Sequence, residues 1–375
     1  MTGKRLLIVG NDRGYFLTHR LPLALAAVSA GYDVHVAIPI LPGEQQPSVT
    51  GVELHPILLR RSGMNLLQDT RTFFQLFRLY RRLNPDIVHH FTIKPVLYGG
   101  WAARLASVPV VINAMTGLGS MFSGTGAAAR LLRSLIVAGL RLSSTGNTVR
   151  MVFQNREDRD LFVELGICPR DRCTIIRGSG VDVEVFRPGR EPDGAPTVVF
   201  PSRMLWEKGI GEFVDAARSL KGSVSPARFI LVGSTDPNPS SVPEQQLRDW
   251  QREGVIEWWG RRDDMPAVLG AASVVCLPSK YREGVPKVLI EAASAGRPIV
   301  TTDMPGCRDI VNDGVNGILV PPADAEALAR AIGRLLGSPE TRRCMGEAGR
   351  SRVVEHFSLD KVVGQTLELY ATGVA

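Results

Sequence analysis

Arg203 and Lys208 stand five apart in PSRMLWEKG, and Glu283 and Glu291 stand eight apart in PSKYREGVPKVLIEAASAGRP. Two cations in a turn ahead of a helix can neutralise a diphosphate leaving group, Arg through a planar fork and Lys as a point charge. Two carboxylates can accept hydrogen bonds from sugar hydroxyls. The second segment reads as a loop running into a helix. Pro286 takes the first helical position, where its missing N–H costs nothing. Gly296 sits at the C-cap, with Pro298 after it. Glu283 then lies in the loop and Glu291 on the second turn, about 10 Å apart if the loop folds over the helix mouth, at roughly 1.5 Å of rise per helical residue. The N–H groups of Lys287, Val288 and Leu289 open the helix without intrahelical partners, which suits a phosphate. The pattern accommodates a phosphate ester flanked by hydroxyl-rich groups. Glutamates near a helix start also occur as plain dipole pairing, so the surroundings have to decide.

Short apolar runs alternate with helical patterns along the chain. KRLLIVG, DVHVAIP, GVELHPI, PDIVHHF, VPVVINAM, TVRMVFQ and CTIIRGSGVD come first. RPGREPDGAP (187–196) reads as a linker, and the pattern restarts with TVVFPSR, ARFILVG, VIEWWG, SVVCLPS, RPIVTTD and GILVPP. This alternation predicts two Rossmann-like doubly wound α/β domains facing a cleft. They span 1–190 and 196–357, with a last helix at 358–375 returning to the first domain. Open parallel sheets bind ligands beyond the carboxyl ends of their strands. Every candidate segment lies at such an end: Gly14, His90 and Thr116–Gly119 in the first half, Ser202–Lys208, Gly260–Arg262 and Glu283–Val288 in the second.

Other residues carry less. His89 and His90 follow an apolar strand, and alternation turns one of them up or into the cleft. TGLGSMFSGTG (116–126) is Gly-rich without the GK[ST] of a Walker loop. Asp158 and Asp160 form a D-x-D pair, but in the first turn of a helix capped by Asn155 they read as dipole partners, so no metal is expected. Trp258 and Trp259 read as packing. RGSGVD (177–182) supplies backbone freedom where the chain crosses between domains.

With 44% hydrophobic and 22% charged residues the chain is globular, and no apolar run reaches the roughly 18 residues of a membrane span. Cys168, Cys173, Cys276, Cys307 and Cys344 are scattered, odd in number and without a CxxC pair. That points to a reducing cytoplasm and away from disulfides or a cysteine zinc site. Residues 1–190 hold 23 Lys/Arg against 13 Asp/Glu, and residues 191–375 hold 21 against 24. The first half is the one to meet an anionic surface. Residues 127–143 form an apolar helix with Arg130, Arg133 and Arg141, whose Leu131, Leu132, Leu135, Ile136 and Leu140 read either as a membrane-facing stripe or as core. No nucleic-acid partner is expected.

Taken as a set, RMLWEKG, Glu283-x7-Glu291, GSGVD and VNDGVNGILVPPADAEALA resemble retaining glycosyltransferases of family four, with the GT-B fold. HHFTIKPVLYGGWAARLA and INAMTGLGSMF resemble the bacterial subgroup that extends polyprenyl-diphosphate-linked saccharides. The resemblance implies transfer of a hexose or N-acetylhexosamine from a nucleotide sugar, with UDP favoured over GDP, at the inner face of the plasma membrane. It implies that Arg203 and Lys208 hold the donor diphosphate, Glu283 faces the donor sugar and Glu291 the ribose. Backbone at Gly284, Val285, Pro286, Lys287 and Val288 would meet phosphate and sugar. Gly260 and Arg261 would lie near the base, and Gly14 would let the first loop approach the diphosphate. Thr116 falls in the loop near the acceptor. Many relatives carry a His after the fifth strand, where this chain has Ala114-Met115-Thr116; the role is left unassigned, with His90 as the substitute. No cofactor or metal is required on this reading. Other functions compatible with such a cleft are transfer to a soluble acceptor, sugar-nucleotide epimerisation and non-catalytic nucleotide-sugar binding.

Overall fold

The computed structural model describes residues 3–40, 44, 47–59, 65–118, 126–146, 148–222 and 227–373. The chain divides into two compact units, Met1–Ser179 with Asp360–Ala375, and Gly180–Leu359. The passage between them falls inside RGSGVD. The segment 187–196, read from sequence as the linker, belongs to the second unit. There Arg342 Nη2 holds Glu191 at 2.8 Å and Arg297 Nη2 donates to the Gly189 carbonyl at 3.0 Å.

In the first unit, β1 (Arg5–Val9), β2 (Asp33–Pro39), β3 (Val52–Ile57), β4 (Ile87–Phe91), β5 (Val110–Met115), β6 (Val149–Phe153) and β7 (Cys173–Ile175) form one sheet. Its order is β3-β2-β1-β4-β5-β6-β7, and every pairing is parallel. Helices cover a parallel sheet on both faces, so its central strands are buried on both sides and mostly apolar, here with His89, His90 and Asn113 as the polar exceptions. β4 and β5 are buried at every position. The strand order reverses direction between β1 and β4, the place where such sheets bind ligands. Each of these two strands is followed by a π-helical stretch, Phe16–Arg20 and Pro95–Gly99, a form that recurs at functional sites.

Two expectations for this unit change. Gly14 is not in a loop. The Asp12 side chain accepts from Tyr15 N–H at 2.6 Å and starts a helical stretch at Arg13, so Gly14 sits in its first turn. His90 does not present itself to a ligand. It is fully buried, with Nε2 at 2.9 Å from Tyr80 Oη and Nδ1 at 2.8 Å from Asn113 Oδ1. Burial lowers its pKa to about 4 although the Asn113 bond works the other way, so both ring nitrogens serve the core. His89 is equally buried, 2.7 Å from Tyr370 Oη on the last helix, Leu359–Thr372. Thr116 lies just past β5, half-buried, and residues 119–125 of the Gly-rich loop lie outside the described residues.

The second unit holds β8 (Thr197–Pro201), β9 (Arg228–Val232), β10 (Glu257–Trp258), β11 (Val274–Leu277), β12 (Ile299–Thr302) and β13 (Gly317–Val320), in the order β10-β9-β8-β11-β12-β13. All pairs are again parallel. Its core gathers Phe200, Phe213, Phe229, Leu277, Leu289 and Phe357 with their neighbours. The switch in order falls between β8 and β11.

Candidate active site

Lys208 follows β8 and Glu283 follows β11, so the switch point of the second unit separates the strands that carry them. Glycines bring the two loops together. Gly209 has φ +81, and a Cβ there would lie 2.0 Å from the Pro278 carbonyl oxygen. Gly306, at φ +86, would put a Cβ 1.8 Å from the carbonyl oxygen of Gly284. A side chain at either position would push the β11 loop away, which is the circumstance in which glycine is required.

Met204 and Leu205, both buried, anchor the chain after β8, and a short 3-10 turn, Trp206–Lys208, aims the ammonium across the switch point. Lys208 Nζ lies 2.5 Å from Glu283 Oε2, with the two side chains only 10% and 11% exposed. The Tyr281 ring centroid is 5.1 Å from the same nitrogen. Burial works against the charge on Lys208, but Glu283 and Tyr281 more than offset it, and the pKa is raised above its ordinary value. Glu283 Oε1 is buried without a hydrogen-bond partner. A carboxylate has room for several donors, and a buried unpaired acceptor costs about 1–3 kcal/mol. This oxygen is therefore a ready acceptor for a ligand hydroxyl.

Arg203 Nη1 pairs with Asp236 Oδ2 at 2.7 Å. Asp236 sits in the loop after β9, set by Asn238 N–H donating to its Oδ1 at 2.9 Å and by its own N–H donating to Ser241 Oγ at 3.0 Å. Nothing in the sequence reading singles out Asp236; its signal is a DPN turn four residues past the end of β9. Gly233, whose Cβ would lie 1.9 Å from the Ser202 carbonyl oxygen, lets the β9 loop close on the β8 loop.

The helix after the β11 loop runs Lys287–Ser294, with Pro286 as its N-cap rather than its first residue. Leu289 N–H is not free as expected: it donates to the Pro286 carbonyl at 3.0 Å. The helix mouth is thus led by the N–H groups of Lys287 and Val288, with Gly284 and Val285 just ahead of it. Glu291 lies on the second turn, 8% exposed, 2.9 Å from Lys287 Nζ. Gly296 takes φ +69 beyond the helix end, the C-terminal conformation expected of it. Gly260 has φ +66 with open space where a Cβ would go. Arg261 is exposed and pairs with Asp263 at 3.1 Å. Trp258 donates from Nε1 to the Gly233 carbonyl at 2.9 Å and packs on the core with Trp259.

In the first unit, Asn155 caps the helix that carries Asp158 and Asp160: the Asp158 N–H donates to Asn155 Oδ1 at 2.7 Å, Asn155 Nδ2 donates to Asp158 Oδ2 at 3.0 Å, and Asp160 pairs with Arg170 at 2.7 Å. Thr92, just past β4, is a second residue that the sequence does not single out. It holds φ +75 and buries an unpartnered hydroxyl; a β-branched residue in that region is a true outlier, and such strain gathers at functional sites. The helix Ala127–Ser143 divides as an amphipathic helix does. Val137 and Leu140 are core and Ile136 packs against it, while Leu131 (64% exposed), Leu132, Leu135 and Leu142 face outward. Arg141 is occupied, donating from Nη2 to the Leu165 carbonyl at 2.6 Å.

Two open α/β units, each wound on a parallel sheet, have the architecture of the GT-B fold. Residues 195–338 match the family described as glycosyl transferases group 1, and residues 5–145 match glycosyl transferase 4-like. With one domain of each kind, the chain is a glycosyltransferase. It is 27% identical over 86% of its length, and 87% of the relative's, to an N,N'-diacetylbacillosaminyl-diphospho-undecaprenol alpha-1,3-N-acetylgalactosaminyltransferase of Campylobacter jejuni. It is 26% identical to a UDP-Gal:alpha-D-GlcNAc-diphosphoundecaprenol alpha-1,3-galactosyltransferase of Escherichia coli, over 84% of this chain and 82% of the relative. Among solved structures it shares its fold with a sucrose-phosphate synthase from Thermosynechococcus elongatus, at TM-score 0.82, 20% identity and 98% coverage of each chain. Anabaena Alr3699/HepE in complex with UDP gives TM-score 0.73 at 16% identity, covering 98% of this chain and 100% of that one. No helix among the described residues is long and apolar enough to cross a membrane.

Proposed function

We propose that the chain transfers a hexose or N-acetylhexosamine, with retention, from a UDP-sugar to a saccharide carried on a polyprenyl diphosphate. The observation that carries this reading is the Lys208–Glu283 pair with its unfilled carboxylate oxygen beside a helix mouth. The names of the Campylobacter and Escherichia relatives support the donor and acceptor classes. Lys208 and Arg203 stabilise the negative charge that grows on the departing diphosphate. The N–H groups of Lys287 and Val288 add the positive end of a helix. Glu283 accepts from a hydroxyl of the donor sugar and Glu291 from the ribose. The acceptor hydroxyl attacks on the face from which the diphosphate leaves, and the leaving phosphate takes its proton. The test is incubation with a panel of UDP- and GDP-sugars and a polyprenyl-diphosphate-linked saccharide, with the product's anomeric configuration read by NMR. Inversion, or turnover with soluble sugars alone, defeats the proposal.

Arg203, Lys208 and the helix mouth supply the cationic charge that a divalent ion supplies elsewhere, so turnover is expected to persist in EDTA. Complete loss restored by Mg²⁺ or Mn²⁺ would return Asp158 and Asp160 to consideration.

The acceptor's lipid also implies a surface. The outward leucines of Ala127–Ser143, with exposed Arg130 among them and the basic excess of residues 1–190, support docking on an anionic membrane. Each basic residue near such a surface contributes about 1 kcal/mol, fading beyond a Debye length. Sedimentation with anionic vesicles at low salt is expected to carry the protein down, and high salt to release it. Changing Leu131 and Leu135 to serine together with Arg130 to glutamate should abolish binding. Indifference of the wild type to anionic vesicles at low salt rejects the membrane reading.

A further inference from the structure

On the sheet of the first unit, D-x-H on β2 lies beside E-x-H on β3. Parallel pairing sets His35 opposite Glu53 and Ala37 opposite His55. Side chains alternate along a strand, so Asp33, His35, Glu53 and His55 share one face. His35 Nδ1 is 3.0 Å from His55 Nε2. The Glu53 carboxylate spans both, with Oε2 3.5 Å from His35 Nδ1 and Oε1 3.7 Å from His55 Nε2. The two imidazoles are buried, 4% and 9% exposed, while Glu53 reaches solvent.

One proton shared between the imidazoles accounts for the 3.0 Å contact. It does not account for the carboxylate, whose distances to the same two nitrogens are long for hydrogen bonds. Bonds of about 2.0–2.1 Å place the ligand atoms of a tetrahedral ion about 3.4 Å apart; the two nitrogens, and each nitrogen with the carboxylate oxygen nearest it, lie close to that spacing. We infer that His35, Glu53 and His55 form a binding site for a divalent transition metal of the zinc class, joining β3 to β2.

The surroundings fit such an ion. Asp33 Oδ2 lies 3.3 Å from His35 Nε2, which makes no hydrogen bond, and is held by Arg5 Nε at 3.0 Å. A small turn of the ring would put the Nε2 proton on this carboxylate and the other lone pair toward the metal, as around ligating histidines in general. Asp33 and Glu53 balance the charges of Arg5 and of Arg82, which acts on His55. Two imidazoles select against Ca²⁺ and Mg²⁺, which take oxygen ligands. Three protein ligands leave a fourth position for water, and His55 also lines a groove of about 710 Å³ open to the outside. His35 and Glu53 sit in the amino-terminal halves of their strands and His55 just past the middle of β3, short of the carboxyl ends where open α/β sheets bind substrates. β3 is an edge strand with β2 as its one neighbour. The ion's task is therefore to pin an edge strand, and turnover does not pass through it.

The experiment uses full-length protein without a histidine tag, stripped of metal and titrated with Zn²⁺ and with Co²⁺. Calorimetry follows the Zn²⁺ titration, and the visible bands of bound Co²⁺ follow the other. One ion per chain is expected, with a rise in melting temperature and slower hydrogen exchange in β3. Asp33→Asn should weaken binding about 10- to 100-fold. Glu53→Gln, at an exposed position that leaves folding intact, should weaken it at least as much. His356→Gln, a control on another element, should bind as wild type does. Absence of saturable one-to-one binding of either metal overturns the proposal, and so does wild-type affinity in Glu53→Gln.

Discussion

Replacing Lys208 with alanine is expected to lower turnover roughly 100-fold or more, the scale of losing one preorganised charge-stabilising donor. Arg203→Ala should do the same. The two differ in what else they cost. Arg203 is 34% exposed in a loop, and its loss leaves Asp236 with Ser241 and Asn238. Its variant should fold as the wild type does. Lys208 is 8% exposed and neutralises a carboxylate that is itself almost buried. Removing one partner of a buried pair costs about 3–5 kcal/mol, because the other charge stays behind unpaired. Lys208→Ala should therefore melt at a lower temperature, and Lys208→Ala with Glu283→Gln should recover much of that stability without recovering turnover. The folded-state pKa of Lys208 is raised, so its ionic contribution to stability is fully present below its ordinary value of 10.5 and is lost only as pH rises through the higher folded value. The pair's effect should thus be unchanged across neutral pH. The measurements are kcat at saturating donor and a thermal melt for each variant. Near-normal kcat in a folded Arg203 or Lys208 variant removes that residue from the diphosphate role.

The fold and the second half of the site are legible because the relevant signals are local. An apolar run of four to seven residues ended by Gly or Pro marks a buried parallel strand, and a charged residue just past it marks a strand's carboxyl end. Lys208 and Glu283 stand out in this way. Their direct contact does not, since the two are 75 residues apart and meet only because Gly209 admits the Pro278 carbonyl. His90 misleads for a related reason. Its position after an apolar run has the form of a site, and only the partners Tyr80 and Asn113, ten and 23 residues away, show it to be core. Gly14 reads as loop because the cap formed by Asp12 lies just ahead of a glycine, which ordinarily argues against a helix. The His35–Glu53–His55 cluster escapes a reading of the sequence because no single segment contains it. Its trace is D-x-H and E-x-H on consecutive strands, and parallel register brings them together.

Glu283 and Glu291 should fail in different ways. Glu291→Gln should weaken binding of both the free nucleoside diphosphate and the nucleotide sugar, because the ribose belongs to both. Glu283→Gln should leave the free diphosphate nearly unaffected and weaken the complete donor, because only the donor carries the sugar hydroxyl proposed for Oε1. Each change replaces a charge-assisted hydrogen bond worth about 1.5–3 kcal/mol with a weaker neutral one, so losses of up to roughly 10- to 150-fold in affinity are expected. The structure sharpens the distinction. Glu291 already spends one oxygen on Lys287 at 2.9 Å, four residues earlier on the same helix, and an amide can keep that geometry through its carbonyl. Glu283 spends Oε2 on Lys208 and leaves Oε1 buried and unfilled. If the amide carbonyl stays on Lys208, its NH₂ turns toward the ligand, where a donor meets a hydroxyl that must reverse its own hydrogen bond. If the amide flips, the NH₂ faces the ammonium instead, and the cation loses its counter-charge. Either arrangement penalises the sugar, and neither touches the ribose. Calorimetric titration of both variants with a nucleoside diphosphate and with its sugar ester separates the cases. Equal losses for the two ligands in both variants would mean that the carboxylates share one task, and the assignment of Glu283 to the sugar would fall.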